Sequence, residues 1–587
     1  MIHFVFSPKD TRYLFLKTDT EEDDAVMERL LKHVNLVDPI CYLPTYNGTP
    51  YTQDFIFSYF QPTGKKIWYC SIGLWQDIYK FFTKNGVAFD GLIENKELFK
   101  VNIPHTFEQF KAIVDGWGLK YQPRPYQYEA AYKILQYKQS VSQLATRAGK
   151  TLIAYMIFRY EMEYLGMKRI LMIVPQVDLV KQAYNDFKEY AEFFKTECVW
   201  AGGKLVESAN ISVGTFQSLI KFLDRRSPKY NPKFFDGYDC VFVDETHRAT
   251  ANQIKTIISQ PFMKNVKIAF GMTGTLPKEG TIDHFCLHSL LGAKIQTIKP
   301  KELMDAGYIA GIDITQVRLT YKDVPLQREL YIKCAEYALS DFELETDPET
   351  GKKKKIKLPE PQFLIQHKKK LPYGIDMAKR TIYGNPFVDE EKHKEEYVEV
   401  LKNIIKDSTK TNYLVIEKMM AHFMEQRIDY LCNEILPECT HNTILFCHHT
   451  EYLKHVAKAI KKRFPDRHIV TIFGSTTSKK RDEVKKLLSE NNDCILVASY
   501  ACVGTGLTLS NLCYGILFES FKSETINMQS IGRGLGLSEM RDKFKLYDII
   551  DVFDKKAISN KIYLQGLEKI KIYKENEYQF KIKNVEI

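Results

Sequence analysis

The chain has no long apolar run. Across 587 residues no stretch approaches the roughly 18 apolar residues that cross a bilayer. The opening "MIHFVFSPKD" has neither a basic leader nor an extended apolar core. A spanning or secreted protein is set aside, and the expected setting is cytoplasmic. Paired cysteines are missing as well: none of the 12 cysteines belongs to a C-x-x-C pair, which points to reduced, buried thiols and not to a disulfide framework. The densest run, Cys432, Cys439, His441, Cys447, His448 and His449, matches no familiar zinc spacing. Cys447 closes the strand-like "TILFC", so the run reads as a strand end and a loop. Strong charge of one sign is also lacking. The 83 Lys and Arg against 73 Asp and Glu leave +10, which permits a phosphate-rich partner without requiring one.

What is present is the material of three or four globular domains, 44% hydrophobic and 27% charged. Residues 1–115 are rich in aromatics, as in "FIFSYF" and "KIWYCSIGLW", and read as a small α+β accessory domain. Its aromatics are expected mainly in a core, with base stacking as the alternative and DNA binding as a role for the domain. From 116 the texture becomes α/β. "RILMIVP", "NISVGTF", "YDCVFVDE" and "VKIAFGMTG" are buried-strand runs that end in small, polar or acidic residues, the carboxyl ends where parallel sheets hold ligands. "NTILFCHH", "HIVTIFG", "DCILVASY" and "YGILFES" repeat the pattern between 442 and 520. Two parallel-sheet lobes in tandem are implied, at 116–310 and 311–556. The stretch 322–412, with "GKKKKIK" and "HKKK", is read as an insertion in the second lobe whose charge runs face solvent, with nucleic-acid contact as the alternative, and 557–587 as a C-terminal extension.

The first motif is "LATRAGKT", residues 144–151. It fits the second half of the phosphate-binding pattern G-x-x-x-x-G-K-[ST], but Leu144 stands where the first glycine belongs. If it is such a loop, Ala148 and Gly149 bring backbone N–H groups to a nucleotide's phosphates, Lys150 reaches the β and γ oxygens, and Thr151 holds Mg²⁺. Alone, the truncated motif is weak. "VFVDETHRA" (241–249) adds adjacent carboxylates, Asp244 and Glu245, at the end of a buried strand. Such a pair is costly there without a cation, so Asp244 is assigned to Mg²⁺ and Glu245 to the attacking water, in a reaction that hydrolyses ATP. His247 comes next, placed to sense the γ-phosphate. "GMTGT" then supplies Thr273 and Thr275 at another strand end as a coupling hinge. Far downstream "INMQSIGRGLG" (526–536) offers Arg533 on a glycine-rich loop facing the first lobe, a guanidinium for developing phosphoryl charge.

Taken together these motifs resemble a superfamily 2 helicase of the DExH type over about residues 116–556, and within it the branch-migration helicases of T-even phages. The short "AGK" loop, "ELMDAGYIA" and "IYLQGLEKIKIYKENEYQF" carry the closer likeness, and "SIGLWQDIYKFFTKNGV" extends it loosely into the N-terminal region. In this superfamily the first glycine of the loop is commonly replaced. The resemblance implies two RecA-like lobes, ATP and Mg²⁺ as cofactors, single-stranded or branched DNA as partner with RNA held by the same phosphate contacts, a monomer or weak oligomer, and host cytoplasm if phage-encoded. It assigns Gln127 and Arg124 in "YQPRPYQYEAA" to the adenine. Pro175 and Gln176 in "IVPQVDLVKQ", Thr215 and Gln217 in "VGTFQSL", and Thr505 and Gly506 in "GTGL" go to the nucleic-acid path or its coupling to ATP, and Gln529 and Arg533 to motif VI.

One position departs from the pattern. Motif VI reads Q-x-x-G-R-x-x-R in the family, and Gly536 occupies the place of the second arginine, with Arg541 nearby as a substitute. Three readings are open: a helicase that unwinds or remodels branched DNA; a duplex translocase without strand separation, for which no accompanying nuclease or methylase constellation is visible; and a nucleotide-gated clamp with weak turnover.

Overall fold

In the computed structural model the described residues are 1–6, 12–38, 52–60, 65–92, 98–199, 209–246, 252–339, 344–346, 353–355, 393–408, 410–500, 511–521, 523–538, 541–553 and 560–587. They divide into two compact units, Met1–Glu302 and Leu303–Ile587. No described helix is long and apolar enough to cross a membrane.

Among the described residues the first unit contains a five-stranded sheet, a seven-stranded sheet and a short antiparallel pair, Leu36–Val37 with Thr52–Gln53. The N-terminal one has five strands in the order Ile56–Phe60, Lys66–Ser71, Tyr13–Thr18, Ile2–Phe6, Phe89–Asp90. Strand alternation sends Ile2, Phe4, Leu14, Leu16, Trp68 and Cys70 into a core closed by the helices Glu21–Val34 and Trp75–Lys84. The opposite face carries Tyr13, Phe15, Phe57, Tyr59 and Tyr69, with Phe57 stacked on Tyr69 at 5.5 Å. The expected aromatic core therefore holds for Trp68 and Phe82, while Phe57 and Tyr59 are exposed because period-two alternation puts them on the outer face, and Phe60 is exposed at the strand's end. The N-terminal core also takes in Phe285 and Cys286 of the helix Ile282–Leu291, so residues 1–115 share a hydrophobic core with a helix of the first large lobe.

The two large sheets are both parallel, seven-stranded and identically connected. The first runs Thr196–Val199, Ile211–Thr215, Ile170–Val174, Cys240–Asp244, Ile268–Thr273, Gln139–Leu144, Lys294–Ile298. The second runs Ile469–Ile472, Ile495–Ser499, Thr443–Cys447, Tyr514–Leu517, Lys543–Val552, Gly311–Thr320, Gln579–Glu586. Numbered within each lobe by chain order, both read 3-4-2-5-6-1-7. These are the two RecA-like lobes. Each buries its central strands on both faces, which is why those strands are continuous apolar runs.

Two segments take places that their sequence did not announce. The last strand, Gln579–Glu586, lies in the stretch expected as an extension and is the edge strand of the second sheet, paired with Gly311–Thr320. The described helices of the inserted region, Val324–Leu339, Lys394–Ser408 and Lys410–Phe423, pack on one another and join the second lobe's core through Tyr331, Leu401, Ile416 and Met420. They lie between the lobe's first and second strands, the slot that the phosphate loop and its helix occupy in the first lobe.

Candidate active site

The 144–151 loop joins the strand Gln139–Leu144 to the helix Lys150–Tyr164. Arg147 (φ 72°) and Gly149 (φ 77°) are left-handed, and Ala148 between them is not. This alternation gathers backbone N–H groups into an anion-binding concavity at a helix N-terminus. Gly149 is required twice over: by its φ, and because a Cβ would lie 2.3 Å from Gln127 Nε2. Ala148 is buried against the loop, and Thr151 is half-buried in the first helical turn.

Gln127 is placed beneath this loop. Its Nε2 donates to Ala148 O at 2.9 Å and its Oε1 accepts from Arg124 N at 2.8 Å, while Tyr126 Oη donates to the same Ala148 carbonyl at 2.9 Å. The expected adenine-reading glutamine thus braces the phosphate loop from the N-terminal turn of the helix Pro125–Leu135, for which Arg124 is the N-cap.

Asp244 and Glu245 lie at the carboxyl end of the central strand, flanked by the strand that ends in Thr273. Lys150 Nζ meets Glu245 Oε1 at 2.7 Å and lies 3.9 Å from Asp244 Oδ1. The three side chains are 17%, 20% and 16% exposed, enough for a ligand to reach them. Burial of Lys150 favours its neutral form, but the charges of Glu245 and Asp244 and the hydrogen bond to Glu245 outweigh it, and the lysine pKa is raised. Glu245 sits at φ 53°, a left-handed conformation for a non-glycine residue, and its N–H donates to Asp244 Oδ1 at 2.9 Å. Thr273 Oγ1 has two acceptors in reach, Thr275 O at 2.9 Å and Glu245 Oε2 at 3.3 Å, and accepts from Thr275 N at 3.3 Å. The loop, the acidic pair and the threonine pair therefore meet at three neighbouring strand ends.

Sequence reasoning missed two residues that make this possible. Thr246 is fully buried, and a Cβ on Gly271 would fall 2.0 Å from its Cγ2, so Gly271 lets the chain turn tightly after the acidic pair. The "FGMTG" glycine was visible, but its partner lies on a neighbouring strand end and only the fold brings the two together.

Other expected positions separate. Pro175 is buried, Gln176 occupies the N-cap position of the helix Val177–Tyr190 without a side-chain capping bond, and Gln217 is exposed. Thr215 is buried and caps the helix Phe216–Leu219 through Ser218 N at 3.2 Å. His247, Thr505 and Gly506 fall outside the described residues. Gln529 is half-buried on the helix Glu524–Gly534, which also carries Arg533. The glycine-rich loop expected there is thus a helix. Gly534 ends this helix, and the Phe544 ring sits 2.3 Å from where its Cβ would lie, so this glycine serves close packing and not turning. Arg541, considered as a replacement arginine, donates Nε to Leu512 O at 2.5 Å and Nη2 to Gly534 O and to Gly536 O at 3.1 Å. Its guanidinium closes the carboxyl end of the motif VI helix, where a cation also meets the favourable end of the helix dipole.

In the second lobe the strand equivalent to Cys240–Asp244 is Tyr514–Leu517, followed by Glu519. Glu519 accepts from His448 N at 2.6 Å and His449 N at 3.1 Å, and from His422 Nε2 at 2.7 Å. Burial would raise its pKa, but the neighbouring His422, His449 and Lys418 hold it well below the usual carboxylate range. His448 and His449 of the cysteine–histidine run are thereby placed around this carboxylate.

Two family models match the chain: the type III restriction enzyme res subunit over residues 120–278 and the helicase conserved C-terminal domain over 426–535. The ATP-dependent DNA helicase uvsW of Enterobacteria phage T4 is 24% identical over 483 residues, 79% of this chain and 78% of that protein. The crystal structure of T4 UvsW aligns with 100% of this chain and 99% of its own, at 18% identity and a TM-score of 0.39. The Pyrococcus furiosus Hef helicase domain aligns with 76% of this chain and 98% of its own, at 18% identity and a TM-score of 0.43.

Proposed function

We propose that the chain is a superfamily 2 motor, an ATP-dependent DNA helicase that unwinds or remodels branched DNA in replication, recombination or repair, a reading supported by the matches to the res subunit model over 120–278 and to the helicase C-terminal model over 426–535. The observation that carries this reading is the convergence of Lys150, Asp244, Glu245 and Thr273 at adjacent strand ends beside a left-handed phosphate loop. The donor set fits Mg²⁺ with a nucleotide, since Lys150 now balances two carboxylates that need a cation. Bound Mg²⁺ would neutralise phosphate charge, with Thr151 and Asp244 as its protein ligands.

The chain's own residues then divide the work. Lys150 leaves Glu245 for the phosphate oxygens, which frees the Glu245 carboxylate to orient and deprotonate water. Ala148 and Gly149 present backbone N–H groups, and Gln127, with Arg124, couples base recognition to the loop it already braces. Thr273, Thr275 and His247 relay the state of Glu245, and Gln529 and Arg533 keep the motif VI role that the family resemblance assigns them. Pro175, Gln176, Thr215, Gln217 and Thr505 are assigned to the DNA path, and Gly506 to the nucleotide. The partner is single-stranded or branched DNA, and the working form a monomer or weak oligomer.

Steady-state ATP hydrolysis by wild type and Lys150→Ala tests this with no nucleic acid, single-stranded DNA, duplex, a four-way junction and a matched RNA. Strong stimulation by branched DNA that disappears in Lys150→Ala supports it, and equal stimulation by RNA overturns the DNA preference. Gly536 favours one other reading, the nucleotide-gated clamp, because a missing arginine finger lowers hydrolysis about 10³-fold or more. Tight ATP and DNA binding without turnover on any substrate would establish that reading instead.

A further inference from the structure

Away from the nucleotide loop, a second cluster joins the N-terminal region to the first lobe. Asp77 lies on the helix Trp75–Lys84, and His284 and His288 lie one turn apart on the helix Ile282–Leu291. Spacing of i and i+4 puts both imidazoles on one helical face. His288 Nδ1 is 2.7 Å from Asp77 Oδ2 and His284 Nε2 is 3.3 Å from Asp77 Oδ1, with the two rings 4.1 Å apart. One ligand atom from each residue lies within 4.8 Å of the others. The side chains of Asp77, His284 and His288 are 7%, 11% and 5% exposed.

We infer that Asp77, His284 and His288 form a binding site for a borderline divalent cation of the Zn²⁺ class, which fastens the N-terminal α+β region to the first lobe. Ligands about 2.0–2.1 Å from a tetrahedral ion are about 3.3–3.4 Å apart. The present contacts run to different Asp77 oxygens, 3.3 Å from His284 Nε2 to Oδ1 and 2.7 Å from His288 Nδ1 to Oδ2, so on binding the carboxylate turns one oxygen to the ion and the ligand atoms, within 4.8 Å of one another, adjust to that spacing. Two imidazoles and one carboxylate suit Zn²⁺ chemistry, whereas Mg²⁺ and Ca²⁺ prefer oxygen shells. Three protein ligands leave a fourth position for water.

The surrounding backbone is held in place independently of any ion. Ser71 Oγ donates to Ser289 O at 2.5 Å, and a Cβ on Gly73 would fall 2.1 Å from His288 O, so the turn before the Asp77 helix is pressed against the histidine helix. Ligands 207 and 211 residues apart in sequence are thus brought to one preorganised point. Closing so long a loop makes the ion an effective staple.

The test uses the full chain, stripped of metal by a chelator and titrated with Zn²⁺ and separately with Co²⁺, beside Asp77→Asn and the double variant His284→Gln/His288→Gln. Wild type should retain one equivalent of Zn²⁺ more than either variant, show visible Co²⁺ bands that both variants lose, and melt at a higher temperature with Zn²⁺ than without. Affinity at this site should fall at least ~100-fold in Asp77→Asn. Metal-free circular dichroism checks folding. If a variant fails to fold, the wild-type Co²⁺ spectrum and melting shift still decide. Zn²⁺ uptake equal in wild type and folded variants, or a wild type with no Co²⁺ bands and no melting shift, would overturn the site.

Discussion

The two lobes share one strand order and place a carboxylate after the same central strand, yet they treat it in opposite ways. In the first lobe Glu245 and Asp244 remain partly open, held by one lysine that a phosphate can claim, with Glu245 in a strained backbone conformation. In the second, Glu519 is 3% exposed and already satisfied by two backbone N–H groups and His422. The slot between first and second strands differs to match: a phosphate loop and one helix in the first lobe, inserted helices that deliver His422 and Lys418 in the second. A carboxylate at a strand end becomes a reaction site when its partner is exchangeable and a structural post when its partners are built in.

The sharpest way to break this contrast is to treat both acids alike. Glu245→Gln should lower DNA-stimulated ATP turnover by ~10²-fold or more while ATP still binds, as read by steady-state hydrolysis and nucleotide titration. Glu519→Ala should instead leave turnover per folded molecule near wild type and lower stability by about 3 kcal/mol in urea unfolding. The comparison fails if the two effects are exchanged.

A third prediction concerns buried acids on the helices that fill the two slots. Glu161 is buried with the Cys240 thiol beside it, and burial raises its pKa to about 8, whereas Glu417 is raised to the same value by burial even though Lys561 N and Ile562 N donate to it at 2.8 and 2.7 Å. Between the ordinary value of 4.5 and about 8 the folded chain holds a proton that the unfolded chain has released. Stability therefore falls as pH rises through that window, by at most about 1.4 kcal/mol per pH unit for each such group. Glu161→Gln should flatten its share of the decline, as measured by unfolding at pH 5, 6.5 and 8.

The smallest effect is expected at Arg541. Arg541→Ala removes donors to Leu512, Gly534 and Gly536 and should cost about 1–2 kcal/mol, with turnover lowered far less than the ~10³-fold typical of a lost arginine finger. A finger-sized loss at unchanged stability would restore Arg541 as the substitute for the arginine missing at Gly536.

Much of the fold and site was legible in the residues. The apolar runs ending in Thr215, Asp244 and Thr273, and again those ending in Cys447 and Ser499, marked two parallel lobes, because a strand buried on both faces must be continuously apolar. The motif order then located Lys150, Asp244 and Glu245, since adjacent carboxylates at such an end need a cation. The strand Gln139–Leu144 went unread because its buried positions include Ser140 and Ser142. The latter accepts a hydrogen bond from Gln296 at 3.0 Å, a partner more than 150 residues away.

The candidate chemistry, then, was written in the sequence: which residues are proposed to hold phosphate, metal and water, and in what order along the chain. Tertiary structure alone decided the bracing role of Gln127, the capping role of Arg541, the edge strand at Gln579–Glu586, and the meeting of Asp77 with His284 and His288. Each of these depends on partners distant in sequence or on which face of an element turns inward, and neither is encoded in a window of neighbouring residues.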